Sequence, residues 1–178
     1  GSDSGGGAGI QADLKTFHQF GVYGTSVIVA ITAQNTRGVR AVHAVPEAMV
    51  AEQLAALAED LPPAALKSGM LATAALVRQV AEAIRERRWA PYVLDPVMAA
   101  SSGDRLLTPE AERVVRDELV PLAALVTPNL DEAAILTGMP VERPDAMERA
   151  GRRLLELGAG AALVKGGHLE SAELEDIL

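Results

Sequence analysis

The sequence predicts an α/β fold, with a largely parallel central sheet and helices on both faces. Three observations carry this. Runs at 27–33, 92–94, 123–126 and 161–164 are apolar apart from Thr32, as strands buried on both faces are. Segments between them repeat apolar residues at helical spacing, and strands that alternate with helices build parallel sheets. Polar residues stand just beyond these strands: Gln34, Asp95, Asn129 and Lys165.

In chain order, a loop of small residues with glycines at 5, 6, 7 and 9 runs into a helix whose apolar stripe is Ile10, Leu14 and Phe17. The β-branched run 27–33 predicts a strand buried on both faces, and 39–45 an extended or edge strand. Residues 46–60 predict a helix through Met49, Val50, Leu54 and Leu57, ended by Pro62-Pro63. A short strand at 65–68 precedes a helix over 73–87, with Leu76, Val77, Val80 and Ile84 on one face. After the strand 92–94 comes a loop over 99–107, then a helix opened by Thr108-Pro109, where proline suits the first turn. The strand 123–126 leads to a short helix stopped at Gly138. A longer helix over 144–157 is stopped by Gly158, and 161–164 is the last strand. There is no internal repeat or linker, so 1–178 reads as one domain.

The 178 residues can bury a sizeable core. A net charge of -8 argues against nucleic acid and anionic membrane surfaces as partners. No apolar run approaches a membrane span and no export signal is visible, so a cytoplasmic setting is expected. The absence of cysteine excludes disulfides, thiolate metal sites and a cysteine nucleophile within these residues. His18, His43 and His168 have no metal-ligand spacing.

The glycine loop matches neither common nucleotide loop. A Walker A loop needs Lys-Ser or Lys-Thr after its last glycine, and here Ile10-Gln11 follows Gly9. A dinucleotide fingerprint starting at Gly5 and Gly7 would place Ile10 where a glycine or alanine belongs. Two readings stay open: a backbone cradle for an anion, or a turn that only begins a helix. Asp13 borders the apolar stripe, where a carboxylate needs a donor; the alternative reading is an acid near a helix N-terminus that serves the dipole.

In open α/β sheets, ligands bind beyond the carboxyl ends of the strands. Gln34, Asp95, Asn129 and Lys165 can line one such crevice, although each also has a local reading. Asn129 with Glu132, for instance, fits a helix capping box. Together they suit phosphoryl transfer, which needs positioning, a cation on the phosphates and a divalent metal. Asp95 and Glu132 can hold Mg²⁺ directly or through water, and Lys165 can pair with a phosphate. The Gln34 carboxamide complements an aminopyrimidine edge without demanding one.

Six stretches carry a resemblance: 1–16 (Gly-Ser-Asp-Ser-Gly-Gly-Gly-Ala-Gly-Ile-Gln-Ala-Asp-Leu-Lys-Thr), Thr-Ala-Gln-Asn-Thr-Arg-Gly-Val at 32–39, Lys-Ser-Gly-Met-Leu at 67–71, Leu-Asp-Pro-Val-Met at 94–98, Thr-Pro-Asn-Leu-Asp-Glu-Ala at 127–133 and Val-Lys-Gly-Gly-His at 164–168. In order and spacing, along the whole chain, the sequence resembles the hydroxymethylpyrimidine/phosphomethylpyrimidine kinases of thiamine biosynthesis, members of the ribokinase-like superfamily. The resemblance implies a three-layer αβα fold and an ATP- and Mg²⁺-dependent kinase. Its substrate would be 4-amino-5-hydroxymethyl-2-methylpyrimidine, then the monophosphate. By position, Gln34 would hold the pyrimidine edge, helped by Thr32, Met70, Val97, Asp13 and the Gly1 region. Asp95 and Glu132 would organise Mg²⁺, with Asn129 and Lys165 on the phosphates of ATP. The glycine loop and Asp13 then fall on the acceptor side of the crevice. The family commonly forms a homodimer.

The resemblance also implies a Gly-Thr-Gly-Cys helix start, supplying the anion hole and the group that activates the acceptor hydroxyl. Residues 171–178 do not match it, so the catalytic residue is expected beyond Leu178. A strand is likewise expected ahead of Gly1. The chain is therefore expected to be truncated at both ends, and inactive if it were the whole molecule. Two alternatives are a pyridoxine or pyridoxal kinase, which the Gln34 amide suits less well, and a non-catalytic pyrimidine-binding sensor.

Overall fold

The computed structural model describes residues 1–98, 106–167 and 175–178. The fold is α/β, and its strands fall into two sheets: an antiparallel hairpin and a three-stranded parallel sheet.

Helix α1 (Gly9–Gln19) follows the glycine loop. Its Ile10, Leu14 and Phe17 are only half buried, so the stripe is shallower than its spacing suggests. Strand β1 (Ala30–Asn35) pairs antiparallel with β2 (Gly38–Ala44). This corrects the expectation of a strand over 27–33 buried on both faces. The ladder begins at Ala30 because the Gln53 side chain takes the backbone at Ile28: its Oε1 accepts from Ile28 N–H at 2.8 Å, and its Nε2 donates to Ile28 O at 3.0 Å. From Ala30 the faces alternate, with Ala30 and Thr32 buried and Ile31 53% exposed, as in a one-sided hairpin.

Helix α2 (Glu47–Asp60) buries Val50 and Leu54, whereas Met49 is exposed. Strand β3 (Leu66–Ser68) leads to α3 (Ala74–Arg87), whose start is capped by Thr73 Oγ1 accepting from Leu76 N–H at 3.2 Å. All four expected stripe residues of α3 are buried, each worth roughly 1.5–3 kcal/mol over exposure. Strand β4 (Tyr92–Leu94) pairs parallel with β3 on one side and β5 (Leu125–Val126) on the other. Between them α4 (Pro109–Val114) widens into a π turn at Val115–Leu119 and tightens to 3₁₀ at Val120–Leu122, where Pro121 has no N–H to continue a helix. The expected loop over 99–107 lies outside the described residues through 105.

Helices α5 (Leu130–Thr137) and α6 (Pro144–Glu156) pack together over Val164, and α5 stops at Gly138 in the left-handed region, φ 73°. The expected last strand over 161–164 is an extended segment joined by isolated bridges. Leu163 N–H donates to Val126 O at 2.8 Å and Lys165 N–H to Pro128 O at 2.8 Å, while Val164 pairs antiparallel with Ile177. The main core lies where α2, α3 and the 109–122 helical run meet β4 and β5. Among the described residues no helix is long and apolar enough to cross a membrane.

Candidate functional site

The parallel sheet brings Asp95, Asn129 and Lys165 together at its carboxyl edge, as the strand-end pattern predicts, whereas Gln34 stands apart on the hairpin. Asp95 follows β4, with its N–H on Ser68 O at 3.0 Å. Lys165 Nζ lies 3.2 Å from Asp95 Oδ1, Thr127 Oγ1 donates to the same oxygen at 3.4 Å, and Lys67 Nζ lies 3.5 Å from Asp95 Oδ2. Lys67 also donates to Asp13 Oδ1 at 3.0 Å. Asp13, Lys67, Asp95 and Lys165 therefore form one line of alternating charge. It ties α1 to β3, β4 and the 161–165 segment, and its two acids and two cations balance.

Sequence pattern does not single out Lys67. Its signal is a lone cation inside a short strand, which reads equally as a solvated edge residue.

The glycine loop is occupied by its own chain. The buried Asp3 carboxylate accepts from Gly5 N–H at 2.7 Å, Gly7 N–H at 3.0 Å and Ala8 N–H at 2.8 Å. These donors, Gly5 foremost, hold its pKa below the ordinary aspartate value. The anion-cradle reading of this loop is thereby corrected: the cradle exists, and an internal carboxylate fills it. The available signal was an Asp two residues ahead of a glycine run, the pattern of an Asx turn. Gly9 sits at φ 56°, and a Cβ there would come within 2.7 Å of Gly1 O, so the start of α1 is pressed against 1–3.

The segment 1–4 lies along β1. Ser2 N–H donates to Ala30 O at 2.9 Å, Thr32 Oγ1 donates to Ser2 O at 2.9 Å, and Gln34 N–H donates to Ser4 Oγ at 2.9 Å. Gly1 N donates to Met70 O at 3.1 Å, and Met70 is buried. Val97 follows Asp95 and is half buried. Gln34 stands at a register shift in the hairpin: Ala33 opposes Ala41 but Gln34 opposes Val39, leaving Arg40 extra on β2. Such a bulge re-aims side chains. The half-buried Gln34 lines a cleft of about 430 Å³ between the glycine loop and the hairpin turn, together with Asp3, Gly5, Asn35 and Arg37. Its Oε1 is 3.3 Å from Thr32 Oγ1. A second hollow of about 540 Å³, beside Leu14, His18 and Tyr23, contains none of the expected site residues.

Asn129 and Glu132 form the capping box at the start of α5. Asn129 Oδ1 accepts from Glu132 N–H at 2.9 Å, and Glu132 Oε2 accepts from Asn129 N–H at 2.9 Å. Glu132 Oε1 also accepts from Met98 N–H at 3.4 Å. Glu132 is 4% exposed, and burial raises its pKa, partly offset by the Asn129 amide and the Lys165 charge. Both Asp95 oxygens face lysines and both Glu132 oxygens face amides. Among the described residues no three His, Cys, Asp or Glu side chains converge as a metal cage. His168 lies outside the described residues.

The sequence profile of a family described as phosphomethylpyrimidine kinase matches residues 3–178. A hydroxymethylpyrimidine/phosphomethylpyrimidine kinase from Rhizobium meliloti is 52% identical over 178 residues, which are 99% of this chain and 66% of that protein. The chain thus spans about two thirds of the relative's length. The crystal structure of phosphomethylpyrimidine kinase from Clostridium difficile superposes with TM-score 0.92 at 47% identity, covering 99% of this chain and 76% of that one. A Staphylococcus aureus pyridoxal kinase, in complex with AMP-PCP and pyridoxal, superposes with TM-score 0.89 at 32% identity, covering 99% and 64%.

Proposed function

The chain belongs to the phosphomethylpyrimidine kinase family, and on that premise we propose that its protein phosphorylates the hydroxymethyl group of 4-amino-5-hydroxymethyl-2-methylpyrimidine and then the monophosphate, using ATP and Mg²⁺. The observation that carries this is the balanced line Asp13–Lys67–Asp95–Lys165 at the carboxyl edge of the sheet. Phosphoryl transfer asks the protein chiefly for positioning and for cations on the transferring group. Lys165, 40% exposed, is the cation for the nucleotide phosphates, with Asn129 beside it through the bridge between the two backbones. The Gln34 carboxamide takes the ring nitrogen and exocyclic amine of the pyrimidine, with Thr32 orienting it from the same face of β1. Gly1, Met70, Val97 and Asp13 wall the acceptor side.

The donor set fits an Mg²⁺ that Asp95 and Glu132 hold through water, since their oxygens already have protein partners. Mg²⁺ supplies charge neutralisation on the phosphates. The group that takes the acceptor proton belongs to the proposed remainder of the protein, and so does the αβα layering in full. The proposed setting is the cytoplasm. The pyridoxal kinase alternative is weaker, because the two pyrimidine kinases named above are 52% and 47% identical against 32% for the pyridoxal kinase.

Two measurements on the full-length protein test this reading. Calorimetry with the hydroxymethylpyrimidine is expected to show Gln34→Leu binding weaker by roughly 1–3 kcal/mol, through a lost bidentate contact; unchanged affinity would remove Gln34 from the ring. A homodimer is also proposed, with the partner on the hairpin, where Ile31 and Val42 are exposed. Sedimentation should then give twice the chain mass, and a monomer at all concentrations would reject the dimer.

A further inference from the structure

We infer that Lys67 is the specificity-determining residue for the phosphorylated acceptor: its ammonium group is the cation for the acceptor's own phosphate in the second transfer. This rests on the pyrimidine-kinase reading above. The two acceptors share a ring and differ by one phosphate, a group of charge about -1.5 to -2 at neutral pH. Gln34 touches only the ring and cannot distinguish them. A site that takes both acceptors needs a cation that is available to the phosphate yet compensated when no phosphate is there.

Lys67 has this placement. Its Nζ lies 3.0 Å from Asp13 Oδ1 and 3.5 Å from Asp95 Oδ2, so with a neutral alcohol bound its charge remains balanced. An ammonium is a compact charge with three rotatable donors on a flexible stem. It can turn a donor to a phosphate without leaving both carboxylates. Its side chain is 28% exposed, so the phosphate can reach it. Lys67 Nζ and Val97 Cγ2 border the same space over Gly69, each 3.7 Å from where a Cβ on that residue would stand. Lys165 shares the other oxygen of Asp95 and lacks the link to Asp13, the acceptor-side residue on α1. Lys67 is thus the member of the pair that faces the acceptor.

The test is kcat/KM of the full-length protein for each acceptor, read as the ratio of monophosphate to alcohol. In Lys67→Met and Lys67→Gln the ratio is expected to fall at least tenfold, with the loss in KM for the monophosphate. Lys67→Arg keeps the charge, carries the lowest folding risk, and is expected to hold the ratio within about threefold. A ratio within twofold of wild type in both neutral variants overturns the proposal. So does an equal collapse in Lys67→Arg, which would make the position one of packing. A collapse in Arg37→Gln in place of the Lys67 variants would move the role to the hairpin turn. Wild-type protein that phosphorylates neither acceptor would instead defeat the pyrimidine-kinase reading itself.

Discussion

Replacing Lys165 by methionine in the full-length protein is expected to lower kcat by about 10²–10³-fold, the loss typical when one preorganised charge is removed from a developing anion. The expectation follows from what else holds the site together. Lys165 is fixed from behind by its own backbone, which donates to Pro128 O at 2.8 Å, so the side chain is aimed by the sheet rather than by its ion pair. Asp95 keeps Lys67 and Thr127 when Lys165 is gone. A partly exposed pair is worth at most about 1 kcal/mol to stability. The melting temperature should therefore move little while turnover falls, and KM for the pyrimidine should stay near wild type. Steady-state kinetics beside a thermal melt check this. A kcat within threefold of wild type would remove Lys165 from the phosphates. A fall in melting temperature that tracks the loss of activity would make its pair with Asp95 structural.

The sequence placed Asp95, Asn129 and Lys165 at one edge because each closes an apolar run, and a parallel sheet aligns such ends whatever the details of packing. What it could not place depended on contacts far apart in the chain. Asp3 reads as an acid in a glycine loop, and only the folded loop shows three amides converging on it. Lys67 has no partner nearby in sequence: Asp13 is 54 residues away. The Gln34 position was legible but its bulge was not, because the extra residue, Arg40, sits on the other strand. The run 27–33 misled for a related reason. Apolar continuity signals burial, but Gln53 from α2 claims the backbone at Ile28 and delays the ladder to Ala30. The capping box was visible in full, because it spans three residues of one helix start.

That capping box is where stability should be lost most heavily. Glu132→Ala is expected to destabilise the protein by roughly 2–4 kcal/mol at neutral pH, combining a lost helix cap with a buried amide left without an acceptor. The two amides are those of Asn129 and Met98, and the side chain joins the start of α5 to the segment after β4. Urea denaturation at pH 7 measures the loss, and a change under about 0.5 kcal/mol would mean that water replaces the carboxylate at both amides. The pH dependence gives a second, opposite signature. Burial raises the Glu132 pKa in the folded chain above its unfolded value, so the native state binds this proton more tightly. The proton-linked part of its contribution is fully present below the ordinary glutamate pKa of about 4.3 and is lost as pH rises through the raised folded value. The carboxylate of Glu132 thus supplies two bonds at a solvation cost that grows as it ionises. Glu132→Gln cannot titrate and keeps one acceptor oxygen. Across that window its stability, relative to wild type, should rise with pH. A pH-independent difference would place the raised pKa of wild-type Glu132 in the unfolded state as well.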